Sequence, residues 1–148
     1  MVRDIVKDRV FLSQPSRDCT FPCRELYDDL KDTLLFHKNR SLGIAANMIG
    51  IQKRALAFFD GENVKVMFNP LLVSVSGEYE TKEGCLSLEG ERKTKRYDEI
   101  EVLYFDWRGR ERMSSFFSLE AEVIQHEIDH MNGILIYYFI HYNRISII

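Results

Sequence analysis

The strongest chemical signal in this chain is a pair of histidines four positions apart. His126 and His130 lie in the run Gln-His-Glu-Ile-Asp-His at residues 125–130. Side chains four apart on a helix share one face, so both imidazoles can bind one cation at about 2 Å each. Glu127 can take the proton of a metal-bound water, whose pKa falls to about 7. The alternative is that both histidines pack on an apolar face. We predict a metal site with its own general base.

A third ligand is needed, and Cys85 is the best candidate. It lies in the run Glu-Gly-Cys-Leu-Ser at residues 83–87. A thiolate with two imidazoles suits zinc or ferrous iron and leaves one position open for water or substrate. A cysteine alone would more often be a small buried side chain than a ligand. Asp129 points to another helix face and is expected to cap or brace the site. The residues therefore predict a metal-dependent hydrolase.

Two main helices are predicted to position these groups. Leucines recurring every four residues predict an amphipathic helix over residues 24–38. Ser118 is predicted to be the N-cap of a second helix, which carries both histidines. That helix is expected to run to about Asn132 and to be capped by Gly133.

Strands are predicted for much of the remaining chain. Alternating apolar and polar residues between turn signals predict strands at 54–60, 64–69, 71–75, 79–81, 99–105, 110–117 and 134–138. Pro70 and the pair Ser76-Gly77 are expected to interrupt them. The predicted fold is α+β, one domain over residues 1–148, with mostly antiparallel strands packed around a central metal-binding helix. No element is assigned after Tyr138.

The glycine-bounded segment 43–50 is small and apolar. Such a segment allows a close backbone approach to a ligand or to another strand. A tight turn in the core is an equally good interpretation.

Composition restricts the possible partners. Hydrophobic residues make up 45% and charged residues 29% of the chain, which argues against disorder. The formal net charge of -3 gives no reason to expect direct nucleic-acid binding. The basic run 92–96 is interpreted as a solvated strand edge or loop, because acidic residues flank it.

Localisation is expected to be cytoplasmic, with no membrane partner. The N-terminus lacks the apolar stretch of a signal peptide, and no window approaches the roughly 18 apolar residues of a spanning helix. The 3 cysteines are an odd count and do not make a disulfide framework. Cys19 and Cys23 are interpreted as ordinary thiols rather than as half of a zinc site.

Three segments together resemble the peptide deformylase family. That family carries a glycine-rich segment with a double alanine, then Glu-Gly-Cys-Leu-Ser, then Gln-His-Glu-x-Asp-His. Here these are residues 43–46, 83–87 and 125–130, in the same order. The resemblance extends from the first helix to about residue 137, and the second and third motifs match completely.

The resemblance implies one divalent metal ion, typically ferrous iron in the cell, with zinc, nickel or cobalt as substitutes. The implied reaction removes the N-formyl group from the initiator methionine of nascent chains and releases formate. The partners are N-formylmethionyl peptides, and the ribosome near the nascent-chain exit is a further candidate. The implied roles are metal ligation by Cys85, His126 and His130, general acid/base catalysis by Glu127, oxyanion binding by the Leu86 N–H, and peptide contact at Gly43 and Arg92.

Three positions depart from the family pattern, of which Ser41 in place of the first glycine is a mild change. Met48 stands where the family has a glutamine that donates to the oxyanion, and a thioether cannot donate. Losing one such donor elsewhere costs about 2.7–4 kcal/mol. The neighbouring Asn47 is not expected to substitute, because adjacent side chains on an extended segment point to opposite faces. Glu122 lies one turn before His126. It is expected either to tilt into solvent or to alter substrate preference.

Four hypotheses remain open on the sequence alone. The first is a peptide deformylase, including a slow or second copy. The second is a related metalloenzyme with another N-acyl or amide substrate, which Met48 favours. The third is a non-catalytic relative that binds N-terminal peptides or the ribosome, against which Glu127 argues. The fourth is a zincin-type endopeptidase, against which Cys85 argues.

Overall fold

Among the described residues, the architecture is a six-stranded sheet with two main helices packed against it. The computed structural model describes residues 1–134 and 145–147. The helices are α1 (Arg9–Leu12), α2 (Arg24–Phe36) and α3 (Ser118–Met131), with a 3₁₀ helix at Ala46–Ile49. The strands are β1 (Gly43–Ala45), β2 (Ala55–Asp60), β3 (Asn63–Cys85), β4 (Leu88–Phe105), β5 (Glu111–Phe117) and β6 (Ile145–Ile147).

The sheet order is β1-β2-β3-β4-β5, and each of these neighbours is antiparallel. Strand β6 pairs in parallel with the end of β3. The α+β prediction is confirmed. The predicted strand 134–138 and most of the tail lie outside the described residues.

One predicted break in β3 is wrong, because Pro70 does not end a strand. The pairing with β4 shifts register between Phe68 and Leu71. Asn69 has a φ of 48° at this point. A bulge therefore absorbs the proline, which cannot donate to a regular ladder.

The predicted turn at Ser76-Gly77 is also wrong. Gly77 has a φ of 76°, a value that glycine adopts without a steric penalty. The ladder with β4 continues on both sides, at Ser76 opposite Glu99 and Glu78 opposite Tyr97. Strand β3 therefore runs without interruption to Cys85.

Strand β4 begins much earlier than predicted. It starts at Leu88 and pairs with β3 through the whole basic run 92–96. Arg96, the last residue of that run, is only 4% exposed. The interpretation of this run as a solvated edge is wrong at Arg96, because α3 covers this part of β4.

Helix α3 begins and ends with different signals. Ser118 is not the N-cap as predicted: it is the first helical residue, with a φ of 53°, and Phe117 precedes it in extended conformation. Gly133 caps the other end as predicted, with a φ of 73°. The N–H of Gly133 donates to His130, and that of Ile134 donates to Asp129. This pair of bonds is a Schellman motif.

Helix α3 is central to the core, since it packs against β1, β2, β4 and β5. Of its 14 residues, the 10 in Ala121–Ile128 and at His130 and Met131 are buried. Helix α2 adds Leu30 and Leu34 to the same core, each 0% exposed. Burying such side chains stabilises the fold by about 1.5–3 kcal/mol each and holds α3 rigidly. Within the described residues, no helix is long and apolar enough to cross a bilayer.

Candidate active site

The three predicted metal ligands converge at the end of β3. Cys85 is the last residue of β3, while His126 and His130 project from α3. The Cys85 Sγ lies 3.2 Å from the His130 Nε2. All three ligand atoms lie within 4.8 Å of one another. Ligands at 2.0–2.3 Å from a tetrahedral ion stand about 3.5 Å apart, so this spacing fits one cation.

A buried carboxylate orients His126 for binding a metal ion. Its Nδ1 lies 2.8 Å from the Glu83 Oε1. An ionised carboxylate can only accept, so Nδ1 carries a proton and Nε2 is the atom left for a metal. That Nε2 is buried and has no hydrogen-bond partner among the described residues. An unpartnered buried polar atom is costly, and a metal ion that displaces any proton on Nε2 would satisfy it, so the donor set fits a metal ion.

Glu83 is held by a buried arginine that also reaches α3. The Arg96 Nη2 and Nε donate to Glu83 at 2.7 and 2.9 Å. The Arg96 Nη1 donates to the Asp129 Oδ2 at 2.7 Å. Burial alone would raise the pKa of Glu83, but the charge of Arg96 and the His126 hydrogen bond outweigh it and lower the pKa to about 2. Asp129 thus braces the site through Arg96.

His130 is the second helix ligand and lies in a different electrostatic environment. Burial, followed by the positive charges of His126 and Arg96, holds the pKa of His130 well below its usual value. The imidazole is therefore neutral, which is the form that binds a metal.

Glu127 is buried next to the three ligand residues, on the side that faces β1. It is 0% exposed, and neither carboxylate oxygen has a hydrogen-bond partner among the described residues. Burial raises the pKa of Glu127 to about 7, although the charge of His126 opposes the change. A carboxyl with a pKa near 7 can both accept and return a proton at neutral pH, as general acid/base catalysis requires.

Gly43 lies against Glu127, and only a glycine fits there. A Cβ at this position would lie 2.6 Å from the Val123 Cγ1 and 3.1 Å from the Glu127 Oε2. Gly43 also pairs with Phe58 in β2. The segment 43–50 is therefore both a close backbone approach and a turn, since the 3₁₀ helix follows β1 directly.

Leu86 lies in the β3–β4 turn, and Arg92 lies beyond it on β4. Leu86 follows Cys85 and is partly exposed. Arg92 is exposed on β4, with its backbone opposite Glu83, and its Nη1 donates to the Glu91 carbonyl at 2.7 Å.

Met48 is buried in the 3₁₀ helix at 0% exposure. Its Sδ accepts the Ala45 N–H at 3.3 Å. Asn47 also lies in this helix rather than on an extended segment, so the geometric reason given for excluding it is wrong. Its Nδ2 donates to the His130 carbonyl at 2.9 Å, which keeps the amide on α3.

Glu122 does not tilt into solvent, contrary to one of its two interpretations. It is 0% exposed, and its Oε1 accepts from the Tyr79 hydroxyl at 2.9 Å. Tyr79 and Glu83 lie on one face of β3, and this face meets Glu122 and His126 on α3.

Sequence reasoning gave Glu83 and Arg96 no role of their own. Glu83 precedes Cys85 by two positions, which places both side chains on one face of a strand and could have indicated it. For Arg96 no local signal was available, because its partners come from β3 and α3.

Fold and site together place this chain among the metallohydrolases. A family model for polypeptide deformylases matches residues 2–144. A peptide deformylase of Clostridium beijerinckii is 46% identical over 136 residues, covering 92% of this chain and 100% of the relative. This chain belongs to the peptide deformylase family, and it is a hydrolase.

Solved structures agree with that assignment. A Legionella pneumophila peptide deformylase matches with a TM-score of 0.85 and 31% identity, covering 95% of this chain and 87% of the other. A Met-Ala-Ser-bound class I type b peptide deformylase from Acinetobacter baumannii matches with a TM-score of 0.85 and 26% identity, covering 95% and 99%. The predicted family and fold are confirmed, and the zincin-type endopeptidase hypothesis is wrong.

Proposed function

We propose that this chain removes the N-formyl group from the initiator methionine of nascent polypeptides and releases formate, using one divalent ion held by Cys85, His126 and His130. The observation that carries the proposal is the convergence of these three ligand atoms within 4.8 Å beside the buried Glu127. The similar Acinetobacter baumannii enzyme was solved with Met-Ala-Ser, the peptide that deformylation would leave.

Ferrous iron is the proposed ion in the cell, with zinc, nickel or cobalt able to replace it. One thiolate and two imidazoles suit each of these borderline ions. A bound ion would polarise the formyl carbonyl and lower the pKa of a water at the open position.

The chain's own groups move the proton. Glu127, buried beside the three ligands, accepts it from the attacking water and delivers it to the leaving amine. The N–H of Leu86 donates to the oxyanion that forms on the formyl carbon. Met48 offers no second donor, so this chain would work with fewer oxyanion donors than the family pattern provides.

The edge of strand β1 away from β2 is the proposed binding site for the backbone of the substrate peptide. It pairs only with β2 among the described residues and ends the strand order of the sheet. An extended peptide can add to such an edge. Gly43, which lies against Glu127, would bring the backbone close to the catalytic carboxylate. Arg92 would lie near the entrance.

We further propose that residues 1–148 act as a single domain in the cytoplasm, where nascent chains are available. Contact with the ribosome near the nascent-chain exit is part of this proposal.

Two buried side chains favour a second candidate function, hydrolysis of another N-acyl substrate. Met48 removes a donor, and Glu122 places a buried carboxyl one turn from His126. Comparing formyl-Met, acetyl-Met and formyl-Gln peptides would separate the two candidates. Faster turnover of either of the latter peptides would favour the second.

The proposal is tested by anaerobic reconstitution. The protein is loaded with ferrous iron, its metal content is measured, and formate release from formyl-Met-Ala-Ser is followed. One ion per chain with formate release supports the proposal. Full loading without formate from any acylated peptide would contradict it.

A further inference from the structure

A cleft is lined in part by Leu86, the residue after Cys85, and none of the three metal ligands is in its lining. Its volume is about 390 Å³. The N-terminal segment and the residues after α2 form its walls, and the polar and charged lining residues are Arg3, Asp4, Lys7, His37 and Arg40. Leu86 therefore borders both the catalytic site and this cleft, which we call the basic cleft.

Two cations in the basic cleft are available to a ligand. Lys7 and Arg40 are exposed, and neither has an ion-pair partner within residues 1–134 and 145–147. Arg3 is already engaged, since its Nη2 lies 2.8 Å from the Asp29 Oδ2. Asp4 is the one carboxylate in the lining.

His37 adds no positive charge at neutral pH. Burial, followed by the charge of Arg40, lowers the pKa of His37 below its usual value. The available cations thus outnumber the carboxylate, and the cleft favours an anionic group.

We propose that the basic cleft binds acidic side chains of the substrate, downstream of its second residue. This inference rests on the proposed function. With the formyl oxygen at the Leu86 N–H, a peptide leaving past the Leu86 side chain enters the cleft. An extended chain advances about 3.3 Å per residue, so the third and later residues reach it.

The size of the basic cleft and the net charge of the chain favour a peptide over RNA as its ligand. A cleft of about 390 Å³ accommodates a few side chains. The chain's net charge of -3 would repel a polyanion over longer distances.

The test uses three peptides on the iron-loaded enzyme: formyl-Met-Ala-Ser followed by Glu-Glu, Ser-Ser or Lys-Lys. We expect kcat/KM to be about two- to fivefold higher for each acidic contact than for the neutral peptide at low ionic strength, as for exposed ion pairs. The preference should shrink in about 0.5 M salt, where the Debye length is only a few ångströms.

The double variant Lys7→Glu/Arg40→Glu should reverse the preference in favour of Lys-Lys. Lys38→Glu is the matched control, since Lys38 is exposed beside the cleft without lining it and should keep the wild-type preference. Equal kcat/KM for all three peptides in the wild type, or one preference shared by the double variant and the control, would overturn the inference.

The outcomes also separate this inference from the proposed function. Formate from the Ser-Ser peptide without any charge preference contradicts only the role of the cleft. No formate from any of the three peptides contradicts the proposed function, and this inference with it. A third result would assign the cleft to RNA instead. In that case the peptides would show no charge preference, and a short RNA would inhibit turnover of the Glu-Glu peptide by the wild type but not by the double variant.

Discussion

Replacing Met48 with glutamine should make this enzyme faster and less stable. The Met48 Sδ accepts the Ala45 N–H at 3.3 Å, and the side chain is 0% exposed. In Met48→Gln, the Oε1 can take over that N–H, which leaves the Nε2 to donate. The 3₁₀ helix that carries it is tied to α3 by the bond from Asn47 to the His130 carbonyl, so the new donor is held next to the metal helix.

The size of the rate increase depends on the donor acting in the transition state and not in the ground state. One oxyanion donor contributes about 2.7–4 kcal/mol in the transition state, so kcat should rise by roughly a hundredfold or more. KM should change little, because the oxyanion is absent from the ground state. Before reaction the buried Nε2 is unsatisfied, which should lower the free energy of unfolding by about 1–3 kcal/mol.

The assay is steady-state formate release at measured metal occupancy, with urea denaturation for stability. Met48→Leu is the control, since it removes the thioether without adding a donor and should not gain activity. An unchanged or lower kcat in a folded, fully loaded Met48→Gln variant would refute the reasoning and show that the oxyanion is held by other groups.

Three further predictions follow from the buried contacts. Glu83→Gln leaves the Arg96 charge paired only with Asp129. Urea denaturation should therefore show a free energy of unfolding lower by about 3–5 kcal/mol, and metal titration should show about 10–100-fold weaker metal binding. The control Glu80→Gln changes an exposed side chain and should show neither effect. Gly43→Ala puts a Cβ 2.6 Å from the Val123 Cγ1 and should cost about 1–3 kcal/mol of stability and lower formate release. Adding Val123→Ala should restore part of both losses, and no restoration would mean that the clash lies elsewhere. Burial would raise the pKa of Asp29, but its hydrogen bonds to the N-terminal ammonium and to Arg3 lower it below the ordinary aspartate value of 3.8. The resulting stability is therefore present above pH 3.8 and lost as pH falls through the folded-state pKa. The free energies of unfolding of the wild type and Asp29→Asn, measured as pH is lowered, should therefore converge as pH falls through the folded-state pKa. A difference that stays constant with pH would contradict this role of Asp29.

The sequence predicts the metal ligands well because their arrangement is mostly local. Helical geometry alone places His126 and His130 on one face, with Glu127 between them. Cys85 lies about forty residues away. Its thiol made it the best candidate for the third ligand, and the motif around it, through its resemblance to a family, supported that role.

The supporting residues depend on long-range pairing and could not be predicted in the same way. Arg96 meets Glu83 and Asp129 only because β3 and β4 pair in one register and α3 packs across them. The acids flanking the basic run suggested a solvated segment instead. Glu122 is buried for a related reason, since Tyr79 on β3 reaches it.

Local turn signals gave the wrong strand boundaries where pairing overrides them. Pro70 and Gly77 usually interrupt strands, yet β3 pairs with β4 beyond both residues. A bulge and a glycine with positive φ allow the ladder to continue.

Glu127 is proposed to move the proton at the metal site without being a ligand of the metal ion. The most direct test is Glu127→Gln, which keeps the size of the side chain and removes the base. We expect one metal ion per chain, as in the wild type, and formate release from formyl-Met-Ala-Ser reduced by about a hundred- to ten-thousandfold. Formate release near the wild-type rate at full metal occupancy would contradict it.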